Sequence, residues 1–198
     1  MKLYFLRHAP TAPNLTGSMV QDYSKEPIAG ILPEHWQEDV GQYLPKIDIN
    51  TPIMSSPTIR CTQTAELVFK VKPMMVLHEL NEFDCSALDN LKFWEITQEE
   101  FEARVKLTPN DMANQVEKIF KLAEQMHDTF NNIKDIICIS HGMVIRYIYH
   151  YLTGNKDITA YDVINSKGFS FYNLDLLVYD TKTKQVKTYH NRDHISHF

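Results

Sequence analysis

Short apolar runs along the chain alternate with stretches in which apolar residues recur every three or four positions. The runs predict four strands, at residues 3–6, 53–54, 74–77 and 136–139. The first run, Leu3-Tyr4-Phe5-Leu6, is uninterrupted, which is typical of a strand covered on both faces in a parallel sheet. Ligands of such sheets bind beyond the carboxyl ends of the strands, so the residues after each run are the first candidates for a functional site.

The stretches between the runs have the apolar spacing of helices. Ser56 is a good N-cap and Pro57 suits a first helical turn, so these two residues are predicted to open the second helix. The predicted helices cover Glu34 to Leu44, Ser56 to about Phe69, about Gln98 to Leu107, about Asp111 to Phe130 and Met143 to Leu152.

Three regions have no helical period. Residues 10–33 are rich in proline and predict an irregular loop, and residues 78–96 predict a long loop over a site, with the aromatics from Phe83 to Trp94 packed as a lid. The tail at 169–189 predicts further strands with a turn near residues 180–184. This alternation of strands and helices predicts an α/β protein, a three-layer α/β/α sandwich with a mostly parallel sheet in one domain over residues 1–198.

Composition narrows the class of protein. Of 198 residues, 43% are hydrophobic and 23% charged, as in soluble globular proteins, and no apolar stretch is long enough for a membrane span or a signal peptide. The net charge of −5, with scattered basic residues, argues against nucleic-acid binding. Three widely spaced cysteines indicate reduced thiols rather than disulfides. We therefore expect a cytoplasmic protein, monomeric or homodimeric, without nucleic-acid or membrane partners.

Polar clusters follow all four predicted strands. In chain order they are Arg7-His8, Ser55-Ser56-Pro57 with Arg60, Glu79 or Glu82, and His141. A parallel sheet brings these clusters to one edge, where two arginines and two histidines suit a phosphate dianion. The helix that begins at Gly142 is expected to add its N-terminal amides and dipole to the same site.

The same clusters resemble the motifs of a known family. Leu6-Arg7-His8, the segment from Ser55 to Arg60 with Gln63-Thr64-Ala65-Glu66, and Ser140-His141-Gly142 are similar to the histidine phosphatase (phosphoglycerate mutase-like) superfamily, in the family's order. Thr11 and Asn14 fit its first motif, and Asn191 and His194 resemble its closing motif. The resemblance implies a phosphoglycerate mutase-like fold and phosphoryl transfer without a metal or other cofactor.

The resemblance also implies a role for each residue. His8 would be the nucleophile that forms a phosphohistidine, and Arg7, Arg60 and His141 would clamp the phosphoryl oxygens. The general acid would be Glu82, in Leu80-Asn81-Glu82, with Glu79 as the alternative. Thr11 and Asn14 would shape the phosphate loop or contact the substrate.

Two departures from the family pattern bear on function. Ala9 replaces the usual glycine after the nucleophile, which would be awkward if that residue needed a positive φ, and residues 83–88 replace the usual Gly-x-Trp-Glu-Gly segment. The paired arginines of glycerate mutases are absent, since only Lys92, Arg104 and Lys106 lie between Glu82 and Asp111. The chain is therefore expected to be a phosphatase for a small phosphorylated metabolite, with a mutase or a catalytically impaired phosphate-binding adaptor as alternatives.

Histidines near the end of the chain raise the question of a metal site. His190, His194 and His197 have no cysteine or carboxylate at ligand spacing, so the pattern favours scattered surface histidines over a metal cluster. The substrate itself stays open among sugar phosphates, phosphorylated cofactor precursors and phosphoproteins.

Overall fold

The computed structural model describes residues 1–16, 26–48, 50–89, 91, 95–130, 132–165 and 168–193. Within them, the strands are β1 (Lys2–Arg7), β2 (Ile53–Ser55), β3 (Met75–Val76), β4 (Asp135–Ser140), β5 (Leu176–Asp180) and β6 (Val186–Tyr189). The helices are α1 (Ala12–Thr16), α2 (Trp36–Asp39), α3 (Ile59–Phe69), α4 (Gln98–Arg104), α5 (Pro109–Thr129), α6 (Gly142–Leu152) and α7 (Ala160–Ile164). Among the described helices, none combines the length and the apolar character that crossing a membrane requires.

The six strands form one sheet in the order β3-β2-β4-β1-β5-β6. β3, β2, β4 and β1 run parallel to one another, whereas β5 runs antiparallel to both of its neighbours, β1 and β6. The prediction of a mostly parallel sheet is confirmed. The antiparallel β5 brings a segment from late in the sequence alongside β1.

Alternate side chains of β1 enter two separate cores, one on each face of the sheet. Leu3 and Phe5 belong to a core that contains residues of α5 and α6, and Tyr4 and Leu6 belong to a core that contains residues of α3. A strand with both faces covered must be apolar throughout, which explains the uninterrupted run. The sheet therefore lies between two helical layers, as predicted.

The prediction of a single helix over residues 34–44 is wrong. α2 ends at Asp39, and a 3₁₀ turn covers Gly41–Tyr43. Val40 between them has φ −130°, outside the helical range, and its buried β-branched side chain packs in the core on the α3 side of the sheet. Burial of Val40 overrides the local helical period.

The predicted start of the next helix is also wrong. α3 begins at Ile59 after Thr58, and Ser56 and Pro57 lie before the helix. The Ser56 hydroxyl is 2.8 Å from Asn81 Oδ1, so it is engaged elsewhere and does not cap α3. The end of the helix at Phe69 is as predicted.

The loop segments hold more structure than the sequence indicates. Phe83 is fully buried and packs edge-on against Tyr147, with ring centroids 6.0 Å apart, so it is a core residue and not part of a lid. Phe93 and Trp94 lie outside the described residues. Within residues 10–33, α1 is a short helix, and in the tail the strand predicted from residue 169 begins only at Leu176.

The long helix α5 opens with a capping box. Thr108 Oγ1 accepts a hydrogen bond from Asp111 N at 3.2 Å, and the Asp111 carboxylate accepts one from Thr108 N at 2.9 Å. Pro109 occupies the first turn, where its missing N–H costs nothing. Five residues of α5 are buried in a core that also contains residues of α6. Fraying at the N-terminus of α5 would therefore weaken the packing of this core.

We predict that Thr108→Ala lowers the free energy of unfolding by about 1 kcal/mol, because the N–H of Asp111 in the first turn loses its acceptor, Thr108 Oγ1. Urea unfolding monitored by circular dichroism measures this. Thr183→Ala is the control, because Thr183 lies in an exposed turn that uses its backbone N–H. Equal stability changes in both variants would contradict the role of the cap.

Candidate active site

The register of β1 and β4 places two histidines side by side. Arg7 pairs with Ser140 at the carboxyl ends of the two strands, so His8 and His141 are the next residues on adjacent strands. Their ring centroids are 5.2 Å apart, and both side chains are buried. The structure thus brings together two residues that are far apart in the sequence, as predicted for a parallel sheet.

Arg7 lies against the start of α6. Its Nη1 donates a hydrogen bond of 2.6 Å to the carbonyl of Phe171. A Cβ on Gly142 would lie 3.1 Å from Arg7 Cζ, so the glycine lets the guanidinium pack on the backbone. Burial lowers the pKa of Arg7 to about 10, which still leaves it cationic at neutral pH.

Arg60, on α3, begins a chain of hydrogen bonds through His141. Its Nε and Nη2 lie 3.3 and 3.2 Å from His141 Nδ1, and an arginine can only donate, so Nδ1 accepts. His141 Nε2 lies 2.9 Å from Ser56 Oγ, which itself donates to Asn81 Oδ1 at 2.8 Å. The directions agree only if His141 is neutral with its proton on Nε2.

Charge and burial support this neutral state. Burial, followed by the charge of Arg60, holds the pKa of His141 well below 6.5. Sequence reasoning did not assign Ser56 or Asn81 to the site, although Ser56 lies within the Ser-Ser-Pro motif. The structural contact to His141 is what reveals them.

His8 is held in the opposite tautomer. Its Nδ1 is 2.7 Å from the carbonyl of Ala9, so Nδ1 donates and Nε2 carries the lone pair. Burial, with the charges of Arg60 and Arg7, keeps the pKa of His8 well below 6.5. A neutral imidazole with a lone pair on Nε2 is the form in which histidine is nucleophilic.

The structure accommodates Ala9 without strain. Ala9 is fully buried, and its N–H donates to Thr64 Oγ1 at 2.8 Å. Among the described non-glycine residues, the left-handed region is occupied by Lys70, Leu174 and Lys184, not by Ala9. The methyl group that replaces the family's glycine therefore needs no positive φ.

The carboxylate of Glu82 lies at the N-terminus of α6. Its Oε2 accepts from Met143 N at 3.2 Å, and its Oε1 accepts from Val144 N and from its own neighbour Phe83 N, both at 3.2 Å. The expectation that these α6 amides bind phosphate is wrong for Met143 and Val144, because Glu82 occupies them. Glu82 lies within the electrostatic field of Arg60 and Arg7, yet burial raises its pKa above the ordinary value.

The alternative acid, Glu79, lies in the 3₁₀ turn His78–Leu80. Its carbonyl accepts a hydrogen bond from Gln115 Nε2 at 2.9 Å, which ties this turn to α5. The carboxylate that meets the amides of α6 is that of Glu82. The geometry therefore favours Glu82 as the acid of the site.

Thr11 and Asn14 form a polar cluster beside His8. Asn14 Oδ1 accepts from Thr11 N at 3.1 Å and Thr11 Oγ1 at 3.0 Å, and Asn173 Nδ2 lies 3.4 Å away. The side-chain oxygen of Asn14 is thus used within the protein. Asn173 was missed by sequence reasoning, because it lies in a tail that carried no motif.

His190 has a partner of its own. Its Nδ1 lies 2.7 Å from Asp175 Oδ2, and Asp175 is fully buried. Among the described residues, no group of three histidine, cysteine or acidic side chains is arranged to hold a metal ion. His194 and His197 lie outside the described residues.

We predict that His8 and His141 remain neutral in the folded protein at pH 6.5, whereas His35 and His190 titrate above that pH. Carboxylates of Asp193 and Asp175 raise the pKa values of His35 and His190, respectively. The two buried histidines resist a proton that the unfolded chain takes up near pH 6.5, so their contribution to stability is lost as the pH falls below that value.

A pH titration of the imidazole resonances by NMR measures all four histidines in one sample. His35 and His190 serve as internal controls. Titration of His8 or His141 at or above pH 6.5 would contradict the prediction.

Comparisons with known proteins bear on the family and the fold. The family model of the histidine phosphatase superfamily (branch 1) matches residues 3–192. A phosphoserine phosphatase from Entamoeba histolytica, crystallised with 3-phosphoglyceric acid, has a similar structure, with a TM-score of 0.69 at 19% identity over 98% of each chain. An alpha-ribazole phosphatase from Shigella flexneri has a TM-score of 0.63 at 19% identity over 94% of each chain.

A search of curated proteins finds no match. At these identities the two structures establish the shared fold, whereas the family model covers nearly the whole chain. The motif order, the fold and this match lead to one conclusion. The chain belongs to branch 1 of the histidine phosphatase superfamily.

Proposed function

We propose that the protein hydrolyses phosphomonoesters through a phosphohistidine formed on His8. The observation that carries this proposal is the state of His8: a buried, neutral imidazole whose Nδ1 is tied to the Ala9 carbonyl, so that Nε2 bears the lone pair. It lies beside His141 and in the field of Arg7 and Arg60. Buried cations next to a neutral nucleophile suit attack on an anionic phosphoryl group.

The first half-reaction transfers the phosphoryl group to the enzyme. Arg7, Arg60 and His141 bind the phosphoryl oxygens, and His8 Nε2 attacks phosphorus as the ester P–O bond breaks. The departing oxygen takes a proton from Glu82. In the second half-reaction Glu82 takes a proton from water, the resulting hydroxide attacks phosphorus, and the P–N bond breaks to release inorganic phosphate.

Glu82 can serve as the acid because its environment favours the protonated form. Burial raises its pKa, and a bound phosphoryl anion raises it further. Oε1 accepts two backbone N–H bonds and Oε2 accepts one. The proton therefore resides on Oε2, which is the less satisfied oxygen.

His141 must change its protonation when the phosphoryl group binds. In the structure its Nδ1 accepts a hydrogen bond from Arg60. A phosphoryl oxygen at this position would face the same lone pair, which cannot donate a hydrogen bond to it. The negative charge of the substrate raises the pKa of the imidazole, so that Nδ1 gains a proton and donates to the phosphoryl oxygen. Ser56 continues to accept from Nε2 throughout.

The substrate we propose is a small phosphorylated metabolite. The related structures include a phosphoserine phosphatase and an alpha-ribazole phosphatase. The basic groups Arg104 and Lys106 contact residues of α4, with Arg104 3.9 Å from Glu100 and Lys106 Nζ 3.0 Å from the Glu102 carbonyl. These contacts favour a phosphatase over a glycerate mutase.

We predict that the protein hydrolyses p-nitrophenyl phosphate in the presence of EDTA and that His8→Ala lowers kcat by at least about 10³-fold, because the covalent route is lost. Release of p-nitrophenolate measures the rate, and ³²P labelling quenched in alkali, where the P–N bond is stable, detects the phosphohistidine. His127→Ala is the control, since His127 lies on α5 and contacts the Ile133 carbonyl.

Two results would contradict the proposed phosphatase activity. Phosphate binding without turnover in the unmodified protein would indicate an adaptor. Isomerisation of phosphoglycerates that depends on a bisphosphate primer would indicate a mutase.

We predict that Glu82→Gln costs most on substrates with poor leaving groups. Hydrolysis of glycerol phosphate should fall about 10²- to 10⁴-fold, whereas p-nitrophenyl phosphate, whose leaving group needs no proton, should lose far less. Steady-state kinetics on both substrates measures the difference. Glu79→Gln is the matched control, and a larger leaving-group effect in that variant would transfer the role of acid to Glu79.

A further inference from the structure

The segment 171–175 wraps around Arg7 and His8. It makes four hydrogen bonds to them: Arg7 Nη1 to Phe171 O at 2.6 Å, Asn173 Nδ2 to His8 O at 2.8 Å, Leu174 N to Arg7 O at 3.2 Å and Arg7 N to Asp175 O at 3.1 Å. The bond to Phe171 spans 164 positions of sequence. The backbone of the proposed nucleophile is therefore fixed by residues close to the other end of the described chain.

Asn173 supplies the one side chain of this segment that contacts His8. Its orientation is fixed, because the His8 carbonyl can only accept a hydrogen bond. One amide proton goes to His8 O at 2.8 Å and the other faces Asn14 Oδ1 at 3.4 Å. Asn173 Nδ2 also lies 3.4 Å from His8 Nδ1, but with both amide protons used, Nδ1 keeps its own proton for Ala9.

The peptide between His8 and Ala9 is held from both sides. Asn173 holds its oxygen, and Thr64 Oγ1 accepts from its nitrogen, Ala9 N, at 2.8 Å. The next carbonyl, Ala9 O, is the acceptor for His8 Nδ1 at 2.7 Å. The direction of the imidazole therefore depends on the orientation of this peptide.

Two unfavourable features meet at this segment. Leu174 has φ 64°, a left-handed conformation that a leucine rarely adopts. Asn173 Oδ1 is buried without a hydrogen-bond partner among the described residues. An orphaned buried oxygen and a strained leucine persist only where the surrounding contacts enforce them. Here those contacts include the ones to Arg7 and His8, together with Trp36 Nε1, which donates to the Leu174 carbonyl at 2.9 Å.

We propose that Asn173 is a positioning residue: by holding the His8 carbonyl it fixes the imidazole in the Nδ1-protonated tautomer and aims Nε2 at the phosphoryl group. The inference rests on the proposed role of His8 as nucleophile. Asn173 acts through the backbone and Asn14, and the side chains that bind the phosphoryl oxygens are those of Arg7, Arg60 and His141.

The test compares Asn173→Ala and Asn173→Asp with the unmodified protein. Both variants should lower kcat for p-nitrophenyl phosphate roughly 10- to 100-fold, the cost of a misplaced reacting group. Asp keeps the size of the side chain but places an oxygen opposite His8 O, so its loss should be at least that of Ala. The Kd of inorganic phosphate, measured by calorimetry, should change less than about threefold, because the cationic clamp is intact.

The ¹⁵N spectrum of His8 reports the tautomer of its imidazole ring. This tautomer would not change if Asn173 only stabilised the fold. In the unmodified protein Nδ1 should be protonated, and in Asn173→Ala the two tautomers should mix. Asn165→Asp is the matched control, because Asn165 Nδ2 also donates to a backbone carbonyl, that of Tyr161 at 2.9 Å, away from the site. It should leave kcat and the His8 spectrum unchanged.

A single Nδ1-protonated His8 in Asn173→Ala would overturn the inference whatever the rate. An unchanged kcat in both variants, with an active unmodified protein, would also overturn it. If the unmodified protein does not turn over, the proposed function fails, and the ¹⁵N spectra alone decide the role of Asn173.

Discussion

The parallel pairing of β1 with β4 is the constraint on which the rest of the site depends. Because Arg7 is opposite Ser140, the two strands end at the same level of the sheet, and His8 and His141 follow side by side. A slip of one residue would turn each side chain of a strand to the other face of the sheet, so the separate cores on the two faces enforce this register. Apolar burial thus sets the distance between two polar side chains.

The two histidines differ in the direction of the hydrogen bond at Nδ1. His8 and His141 are neighbours and both neutral, but His8 donates from Nδ1 and His141 accepts there. The difference comes from their partners, a backbone carbonyl in one case and an arginine in the other. Two identical side chains in one pocket therefore present different lone pairs, on Nε2 of His8 and on Nδ1 of His141.

Features that depend on local pattern were predictable. The buried strands β1 and β4, the long helix α5 and the polar clusters at the strand ends follow from short-range periodicity. The start of α3 was not, because the Ser56 hydroxyl is engaged with Asn81 and His141 instead of the helix. Nor was the contact of Asn173 with His8, which exists because the antiparallel β5 pairs with β1, a pairing that no local period reveals.

The contact between Arg7 and Phe171 also sets an order of events during synthesis. Arg7 meets its carbonyl partner only after 164 further positions of the chain have been synthesised. Closing so long a loop costs conformational entropy and slows folding. The arrangement at the ends of β1 and β4 is therefore completed late. A growing chain that already contains Arg7 and His8 cannot yet hold them in their final positions.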